Sequence, residues 1–220
     1  MIVTLDGPAG AGKSSAARSL ASRLGWCHLD TGAMYRAVAL VALEQQVPLD
    51  DAAQLAKLAE NLVITFQGDR VLVGGRDVSA EIRTEQVTQA TRPVADTPAV
   101  RDSMKRIQRR LAEGLDVVTE GRDQGSVVFP HAELKVFMTA SPEERARRRH
   151  REDISRGAAT SLETVLRSQA KRDEGDRTRP VGAMKPADDA VILETDGLSA
   201  SEVVDRLVEL VASRRVEQPR

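Results

Sequence analysis

Residues 7–14, GPAGAGKS, place glycines, a lysine and a serine at the spacing G-x-x-x-x-G-K-[ST]. The motif lies between a short apolar run at 2–5 and a helical pattern at 13–24, which is the context that this spacing requires. In such a loop the backbone amides attract phosphate, Lys13 can reach the β- and γ-phosphates, and Ser14 can ligate Mg²⁺. We therefore predict a nucleotide-phosphate site formed by Gly7, Pro8, Ala9, Gly10, Ala11, Gly12, Lys13, Ser14 and Ser15.

The stretch LDTGAMYR at 29–36 is a second candidate site. It follows the apolar run WCHL and precedes a very apolar helical pattern, so we predict a polar turn between a strand and a helix. Thr31 and Tyr35 offer hydroxyls, and Arg36 offers a planar guanidinium suited to phosphate. Because ligands of open α/β sheets bind at the carboxyl ends of strands, these side chains are predicted to face the same crevice as the phosphate loop. A capped helix start with solvated Tyr35 and Arg36 is the alternative.

Two more polar stretches carry arginines. TEGRDQGSVVFP at 119–130 follows another short apolar run and places Arg122 and Asp123 between glycines that permit close approach of a ligand. KRDEGDRTRP at 171–180 contributes Arg172, Asp176, Arg177 and Arg179. A solvated helix face would explain any single arginine, but three arginine-bearing stretches in a chain with a phosphate loop favour a site for several phosphate charges.

The number of arginines indicates what kind of acceptor a transferred phosphoryl group would have. Transfer between two phosphates brings together negative charges that repel each other, and arginines, Lys13 and Mg²⁺ can neutralise them. An alcohol acceptor would instead need a positioned base and fewer arginines. None of the three histidines lies in a motif. The pattern therefore favours an acceptor that already carries a phosphate, such as a nucleoside monophosphate.

Short apolar runs alternate with helical patterns, which predicts an α/β fold with a parallel sheet flanked by helices. The predicted strands are 2–5, 26–29, 117–119, 134–139 and 190–194. The predicted helices cover 13–24 and 33–46, and others start at Thr84, Thr97-Pro98, Ser141 and Ser199, the last two with capping boxes. Two regions break the alternation: 62–80 predicts a small β-hairpin, and the charged segment 152–185 contains a helix start at Thr160-x-x-Glu163.

Composition argues against several classes of function. Of 220 residues, 41% are hydrophobic and 2% aromatic, so we predict one globular domain with appendages and a core of Ala, Val, Leu and Ile. So few aromatic residues argue against base-stacking platforms, and a net charge of −1 gives no global attraction to nucleic acid or membranes. The one cysteine, Cys27, is predicted to be a buried thiol. No run is apolar enough to span a membrane, so we expect a cytoplasmic protein, and we expect a monomer.

The chain also resembles the bacterial-type cytidylate kinases, which are P-loop nucleoside monophosphate kinases. The resemblance covers almost the whole chain and rests on GPAGAGKSS, DTGAMYR, DVSAEIRTEQV, PAVR, EGRDQGSVVFPHAELKVFMTAS and KRDEGDRTRPV, in the family's order. It implies a single kinase unit with a P-loop kinase core, a monophosphate-binding insertion at approximately 48–114 and a lid at approximately 152–185. It also implies ATP as phosphate donor, Mg²⁺ as cofactor, and CMP and dCMP as acceptors.

The resemblance further implies roles for individual residues. The expected catalytic residues are Lys13, Arg122, Arg172 and Arg179, with Ser14 on Mg²⁺. The expected CMP-binding residues are Thr31, Arg36, Arg122 and Arg179 at the phosphate and ribose side, Arg101 and Asp123 at cytosine, Arg172 and Asp176 at the sugar, and Tyr35. A carboxylate suits the exocyclic N4 amine of cytosine, and a guanidinium can donate to N3 or O2. The arginines in ERARRR at 144–149 are expected to close over the transferred phosphate.

Two positions depart from the family pattern, and other functions compete. Arg92 stands where the family commonly has a serine that helps to hold the base, and Gly175 stands where relatives often carry a charge. The alternatives are a kinase for another monophosphate such as UMP and a nucleotide-sensing module without turnover. RNA binding through the basic run at 145–151 is less favoured, because no aromatic residue interrupts that run.

Overall fold

The structure, a computed structural model, describes residues 1–155, 157 and 159–217. These residues form two compact units. The first consists of Met1–His28 and Gly114–Arg220, and the second of Leu29–Glu113.

Strands and helices alternate along much of the described chain. In chain order they are β1 (Ile2–Asp6), α1 (Lys13–Leu24), β2 (Cys27–Asp30), α2 (Thr31–Glu44), α3 (Ala52–Asn61), β3 (Ile64–Gln67), β4 (Arg70–Val73), β5 (Arg76–Asp77), a 3₁₀-helix (Glu81–Arg83), α4 (Glu85–Asp96), α5 (Pro98–Ala112), β6 (Val117–Glu120), a short π-helix (Gln124–Val128), β7 (Leu134–Thr139), α6 (Pro142–Ser155), α7 (Leu162–Thr178), β8 (Val191–Glu194) and α8 (Ala200–Glu217).

The larger sheet has the strand order β2-β6-β1-β7-β8. β1 pairs in parallel with β6 and β7, and β7 pairs in parallel with β8. Val3 of β1 lies opposite Val118 and Leu134, and all three side chains are buried. Continuous apolar runs are what strands covered on both faces require. The parallel register brings the carboxyl ends of β1 and β6, with Asp6 and Glu120, to the same edge of the sheet.

The core of the first unit is aliphatic. Ala17 and Leu20 of α1 and Leu207 of α8 lie in one buried cluster with Val136 and Met138 of β7. Because the apolar stripes of both helices cover the sheet, the strands are held in place without large aromatic side chains. The predicted α/β fold with an aliphatic core is confirmed.

The second unit is mostly helical. β3, β4 and β5 form a small antiparallel sheet, and α2 packs against α3, α4, α5 and the 3₁₀-helix. Because these elements surround α2, this helix is apolar on nearly every side. Its buried residues include Met34, Val38 and Val41. The predicted hairpin within 62–80 is confirmed, with β5 as a third short strand. α3 was not predicted, although Leu55 and Ala59 mark its buried face.

The predicted polar turn at 29–36 is wrong. The side chain of Asp30 accepts a hydrogen bond from the amide of Ala33 at 2.9 Å, and α2 begins at Thr31. An aspartate in this N-cap position satisfies a free amide at the helix start, so the chain passes from strand to helix without a loop. Thr31, Tyr35 and Arg36 therefore lie on the first two turns of a helix.

Other predictions at the ends of elements need smaller corrections. The N-cap of α7 is Ser161 rather than Thr160, because its hydroxyl accepts from the amide of Thr164. The capping box at Ser199 is confirmed, since that residue exchanges hydrogen bonds with Glu202. At Ser141 the box is incomplete, because its amide donates to Asp196 instead of Glu144. Cys27 is exposed, so the prediction of a buried thiol is wrong.

The predicted lid at 152–185 covers the end of α6, the whole of α7 and the residues that directly follow α7. Residues 156 and 158 of this range lie outside the described residues. The boundaries of the lid and of the insertion at 48–114 stay predictions. Within residues 1–155, 157 and 159–217, no helix combines the length and apolar composition needed to cross a membrane.

Replacing Asp30 by Ala should lower the free energy of unfolding by about 1 kcal/mol, because Ala cannot accept the bond from the Ala33 amide. Asp30→Asn is the matched control, since Asn is as good an N-cap and should stay within about 0.5 kcal/mol of the wild type. Urea unfolding followed by circular dichroism measures both variants. Equal stability of Asp30→Ala and the wild type would contradict the assigned cap.

Candidate active site

The loop between β1 and α1 has three glycines with a positive φ, Gly7, Gly10 and Gly12, and the first and last show why glycine is needed there. Gly7 has a φ of +136°, and a Cβ atom there would lie 2.0 Å from the carbonyl oxygen of Met138. Gly12 has a φ of +89° and forms the N-cap of α1. The loop therefore approaches β7 closely and then turns directly into a helix whose first amides lack partners within the helix. This geometry agrees with the predicted phosphate loop.

Lys13 is the first residue of α1 and is only 5% exposed. Its Nζ donates to the carbonyl oxygen of Pro8 at 2.7 Å, so the side chain folds back across the loop. Burial lowers the pKa of Lys13 well below its ordinary value, and the positive charge of Arg122 adds to this effect. A polyphosphate bound at the loop would favour the charged form, because an opposite charge stabilises a buried cation.

Ser14 follows Lys13, and its hydroxyl donates to Oε1 of Glu120 at 2.8 Å. Glu120 ends β6 and is buried, and the sequence motifs do not assign it a role. The sequence does contain one indication of Glu120, which is its position at the carboxyl end of an apolar run. A hydroxyl and a carboxylate are oxygen ligands that suit Mg²⁺, which takes its other ligands from phosphates and water. Within the described part of the chain, no cluster of three or more His, Cys, Asp or Glu could hold a metal ion.

Asp176 on α7 joins two arginines. Its Oδ2 accepts from Nε of Arg122 at 2.8 Å, and its Oδ1 accepts from Nη2 of Arg179 at 2.8 Å. The side chain of Asp176 is 10% exposed and that of Arg179 is 7% exposed. Burial alone would raise the pKa of Asp176, but Arg122, Arg179 and Arg172 outweigh burial and hold this pKa below its ordinary value. The structure thus brings three predicted site residues into one charged cluster.

Two further predicted site residues lie near this cluster in the chain: Arg172 is on α7, as Asp176 is, and Asp123 directly follows Arg122. Arg172 is exposed on α7, four residues before Asp176. Asp123 follows β6 and is 4% exposed, and its carbonyl oxygen accepts from the amides of Val127 and Val128 at 2.9 and 3.2 Å. The backbone around Asp123 is therefore fixed by the short π-helix that follows.

Arg145 on α6 supports the phosphate loop. Its Nη1 donates to the carbonyl oxygen of Ala9 at 2.9 Å and to Oδ2 of Asp173 at 2.6 Å, and its Nε donates to the carbonyl oxygen of Ala140 at 3.1 Å. We expected the arginines of 144–149 to close over a phosphate. The guanidinium of Arg145 is instead buried, and it is bound to the loop and to α7.

Arg36 of the second unit is held by α4 and by the 3₁₀-helix. Its Nη1 donates to Oγ1 of Thr88 at 2.7 Å and to the carbonyl oxygen of Ile82 at 3.2 Å. Thr31, at the first position of the same helix, is 3% exposed. Arg36 is therefore ordered by contacts within its own unit, and Thr31 is buried.

Tyr35 and Arg101 lie together in the second unit. The guanidinium carbon of Arg101 lies 5.6 Å from the centre of the Tyr35 ring, within the range of a cation–π interaction. Arg101 is 6% exposed, and its Nη1 donates to the carbonyl oxygen of Ala95 at 3.2 Å. The structure thus pairs two residues that the sequence places 66 positions apart.

Comparison with known proteins identifies the family. Residues 3–213 match the family model described as cytidylate kinase. A cytidylate kinase of Rhodopirellula baltica is 51% identical over 211 residues, which cover 96% of this chain and 92% of that protein. A cytidylate kinase of a Geobacillus species is 48% identical over 216 residues, which cover 96% of both chains.

The chain belongs to the cytidylate kinase family. Its fold recurs in more distant structures. A shikimate kinase from Bacteroides thetaiotaomicron is 14% identical with a TM-score of 0.51, and the match covers 96% of this chain and 98% of that one. An uncharacterized protein from Eubacterium ventriosum is 12% identical with a TM-score of 0.52, covering 97% and 99% of the chains. At such low identity these structures show a common fold alone, which agrees with the predicted P-loop kinase core.

Arg92, the predicted departure from the cytidylate kinase pattern, is exposed on α4. Its Nε lies 3.6 Å from Oδ2 of Asp96, one turn further along the helix. Surface pairs of this kind contribute little to stability. Pro93 follows within the same helix, and Thr97 ends it.

Asp6, the last residue of β1, is a buried carboxylate that the sequence motifs do not include. Burial raises the pKa of Asp6 to about 6, although hydrogen bonds from the amides of Gly125 and Gln124 act in the opposite direction. The neighbouring charge of Asp123 raises this pKa further, and that of Lys13 lowers it. At neutral pH Asp6 is therefore mostly ionised in a buried position, which costs stability.

The pKa of Asp6 predicts how the stability of this cytidylate kinase homologue depends on pH. Because the folded state holds this proton more tightly than the unfolded state, the free energy of unfolding should fall as pH rises from about 4 to about 6. The rise from 3.8 to about 6 corresponds to a contribution of about 3 kcal/mol.

Urea unfolding of the wild type and of Asp6→Asn at several pH values isolates this contribution, since Asn does not titrate. The stability of the wild type minus that of Asp6→Asn should fall by about 3 kcal/mol between about pH 3 and about pH 7. A difference that stays constant over this range would show that the pKa of Asp6 is not raised.

Proposed function

We propose that this chain catalyses transfer of the γ-phosphoryl group of ATP to CMP and dCMP, giving ADP and CDP or dCDP. Membership of the cytidylate kinase family supports this reaction. The observation that carries the proposal is the charged cluster of Arg122, Asp176 and Arg179, in the same unit as the phosphate loop. Two largely buried guanidiniums held by one carboxylate suit an acceptor that brings its own phosphate.

The reaction needs no covalent intermediate and no strong base. An oxygen of the acceptor phosphate attacks the γ-phosphorus of ATP, and the bond from that phosphorus to the β,γ-bridging oxygen breaks, which leaves ADP. The attacking oxygen is already largely ionised at neutral pH, so no side chain has to remove a proton. What the protein contributes is position and positive charge.

On the donor side, the loop of residues 7–15 binds the phosphates of ATP through its backbone N–H groups, and Nζ of Lys13 binds them as well. The Ser14 hydroxyl and the Glu120 carboxylate fit Mg²⁺, because they present two oxygen atoms 2.8 Å apart beside the loop. Mg²⁺, when bound, neutralises charge on the β- and γ-phosphates. Arg145 keeps the loop in shape through its bond to the carbonyl oxygen of Ala9.

On the acceptor side, we assign Arg122 and Arg179 to the phosphate of CMP, with Arg172 as a further cation. The resemblance to the family places Asp176 at the sugar. Since both its carboxylate oxygens accept from arginines, we assign it a second role, which is to orient these guanidiniums. Asp123 is assigned to the N4 amine of cytosine, because a carboxylate is an acceptor for that donor.

The remaining assignments rest on the family resemblance. Thr31, Arg36, Tyr35 and Arg101 are assigned to CMP. Contacts within the second unit hold Arg36, Tyr35 and Arg101 in defined positions. A cytoplasmic location and a monomeric state remain predictions. A sensor without turnover is less favoured, because it would not require a complete set of acceptor arginines.

The acceptor range tests the proposal. ADP formation from Mg-ATP should depend strongly on CMP and dCMP, and should be weak with UMP, AMP, GMP and without acceptor. Turnover that is fastest with UMP would favour the kinase for another monophosphate. Binding of ATP without acceptor-dependent turnover would favour the sensing module and overturn the proposal.

Replacing Asp123 tests how the base is recognised. Asp123→Ala should raise the KM for CMP about 10- to 100-fold, because a hydrogen bond to a charged group is worth about 1.5–3 kcal/mol. The KM for ATP should change by less than about 2-fold, since the residue is assigned to the acceptor alone.

Asp123→Asn is the matched variant, because its amide can donate to O4 of uracil. It should raise the ratio of kcat/KM for UMP to kcat/KM for CMP above the wild-type value. Equal losses for CMP and ATP in Asp123→Ala would show that Asp123 does not recognise the base.

A further inference from the structure

Asp6 connects the phosphate loop to the segment that carries Arg122 and Asp123. It directly precedes Gly7, the first residue of that loop. Its Oδ1 accepts from the amide of Gln124 at 2.9 Å, and its Oδ2 accepts from the amide of Gly125 at 2.7 Å. These amides open the short π-helix that immediately follows Asp123. Both carboxylate oxygens are thus bound to consecutive amides of one segment.

The rest of this segment has little room to move. A Cβ atom on Gly125 would lie 2.8 Å from Oγ1 of Thr4 and 3.1 Å from Cγ of Lys135. The amide of Gly121, just before Arg122, donates to the carbonyl oxygen of Leu5 at 3.0 Å. The residues on both sides of Arg122 and Asp123 are therefore bound to the end of β1.

A carboxylate is an unusual choice for a purely structural bond at this place. Asp6 is only 5% exposed, and burial disfavours its ionised form. A neutral amide acceptor would avoid that cost. An ionised Asp can, however, accept from two adjacent amides at once and fix the direction of the segment, which an Asn side chain with one acceptor oxygen cannot do.

We propose that Asp6 is a positioning residue for the acceptor: by holding the amides of Gln124 and Gly125, it orients Asp123 and so controls the affinity for CMP. The inference rests on the proposed function, because it uses the assignment of Asp123 to the base. It predicts that most of the effect of Asp6 on the affinity for CMP depends on Asp123.

A double-mutant cycle on CMP binding tests this mechanism. Asp6→Asn replaces one acceptor oxygen by an amide that faces another donor, so the KM for CMP should rise about 10-fold. The KM for ATP should rise less, because the charge of Asp6 has a smaller effect on Lys13 than burial and Arg122 have. In an Asp123→Ala background, Asp6→Asn should change the KM for CMP by less than about 2-fold. Ser126→Ala is the control. It removes a hydroxyl on the same short helix, and this hydroxyl has no hydrogen-bond partner in the described part of the chain. It should leave both KM values unchanged.

Gly125→Ala provides a second route to the same test, should Asp6→Asn fold poorly. Its added methyl group would push the segment away from Thr4 without altering Asp6, and it should also raise the KM for CMP selectively. The proposal is overturned if Asp6→Asn raises both KM values equally, or if its effect on CMP is as large in the Asp123→Ala background as in the wild type. If Asp123→Ala alone does not weaken CMP, the assignment of Asp123 fails first, which separates that failure from a failure of the positioning role.

Discussion

The hydrogen bonds from Arg122 and Arg179 to the carboxylate of Asp176 are the interaction on which the acceptor side of the first unit depends. Two guanidiniums repel each other, and a largely buried pair would separate or take up water if no anion lay between them. Asp176 supplies that anion from α7, while Arg122 comes from the end of β6. The cluster therefore keeps both cations in place before any phosphate arrives.

Carboxylates also accompany Arg145 and Lys13, which are buried cations of the first unit. Arg145 is paired with Asp173, and the charges of Glu120 and Asp6 favour the cationic form of Lys13 against burial and neighbouring arginines. Asp173 keeps Arg145 in position, and each of these buried carboxylates carries some cost in desolvation. Because Asp176 already holds the guanidiniums of Arg122 and Arg179 in place, this site is preorganised for an anion and does not have to assemble around it.

Local chemistry explains which features could be predicted from the sequence. The phosphate loop and the strands of the parallel sheet depend on short-range patterns, so the spacing of Gly7, Gly12 and Lys13 and the continuous apolar runs were sufficient. The start of α2 was misplaced, because one side-chain bond from Asp30 decides where that helix begins. Arg145 was expected near a phosphate because it lies in the arginine-rich run 144–149, which leads into the predicted lid. Its partner Asp173 lies 28 residues away, and charge spacing along a chain does not reveal such a pair. Glu120 and Asp6 could have been found, since both are acidic residues at the carboxyl ends of predicted strands.

The central claim is that the arginines of the first unit are arranged for a phosphate that the acceptor carries. Isothermal titration of the protein with CMP and with cytidine, which lacks the phosphate, tests this claim most directly. The account predicts that cytidine binds at least about 100-fold more weakly than CMP, because two or more charge-assisted hydrogen bonds are lost. Equal dissociation constants for CMP and cytidine would contradict it, since the cluster of Arg122, Asp176 and Arg179 would then be a structural feature without a role in binding the acceptor.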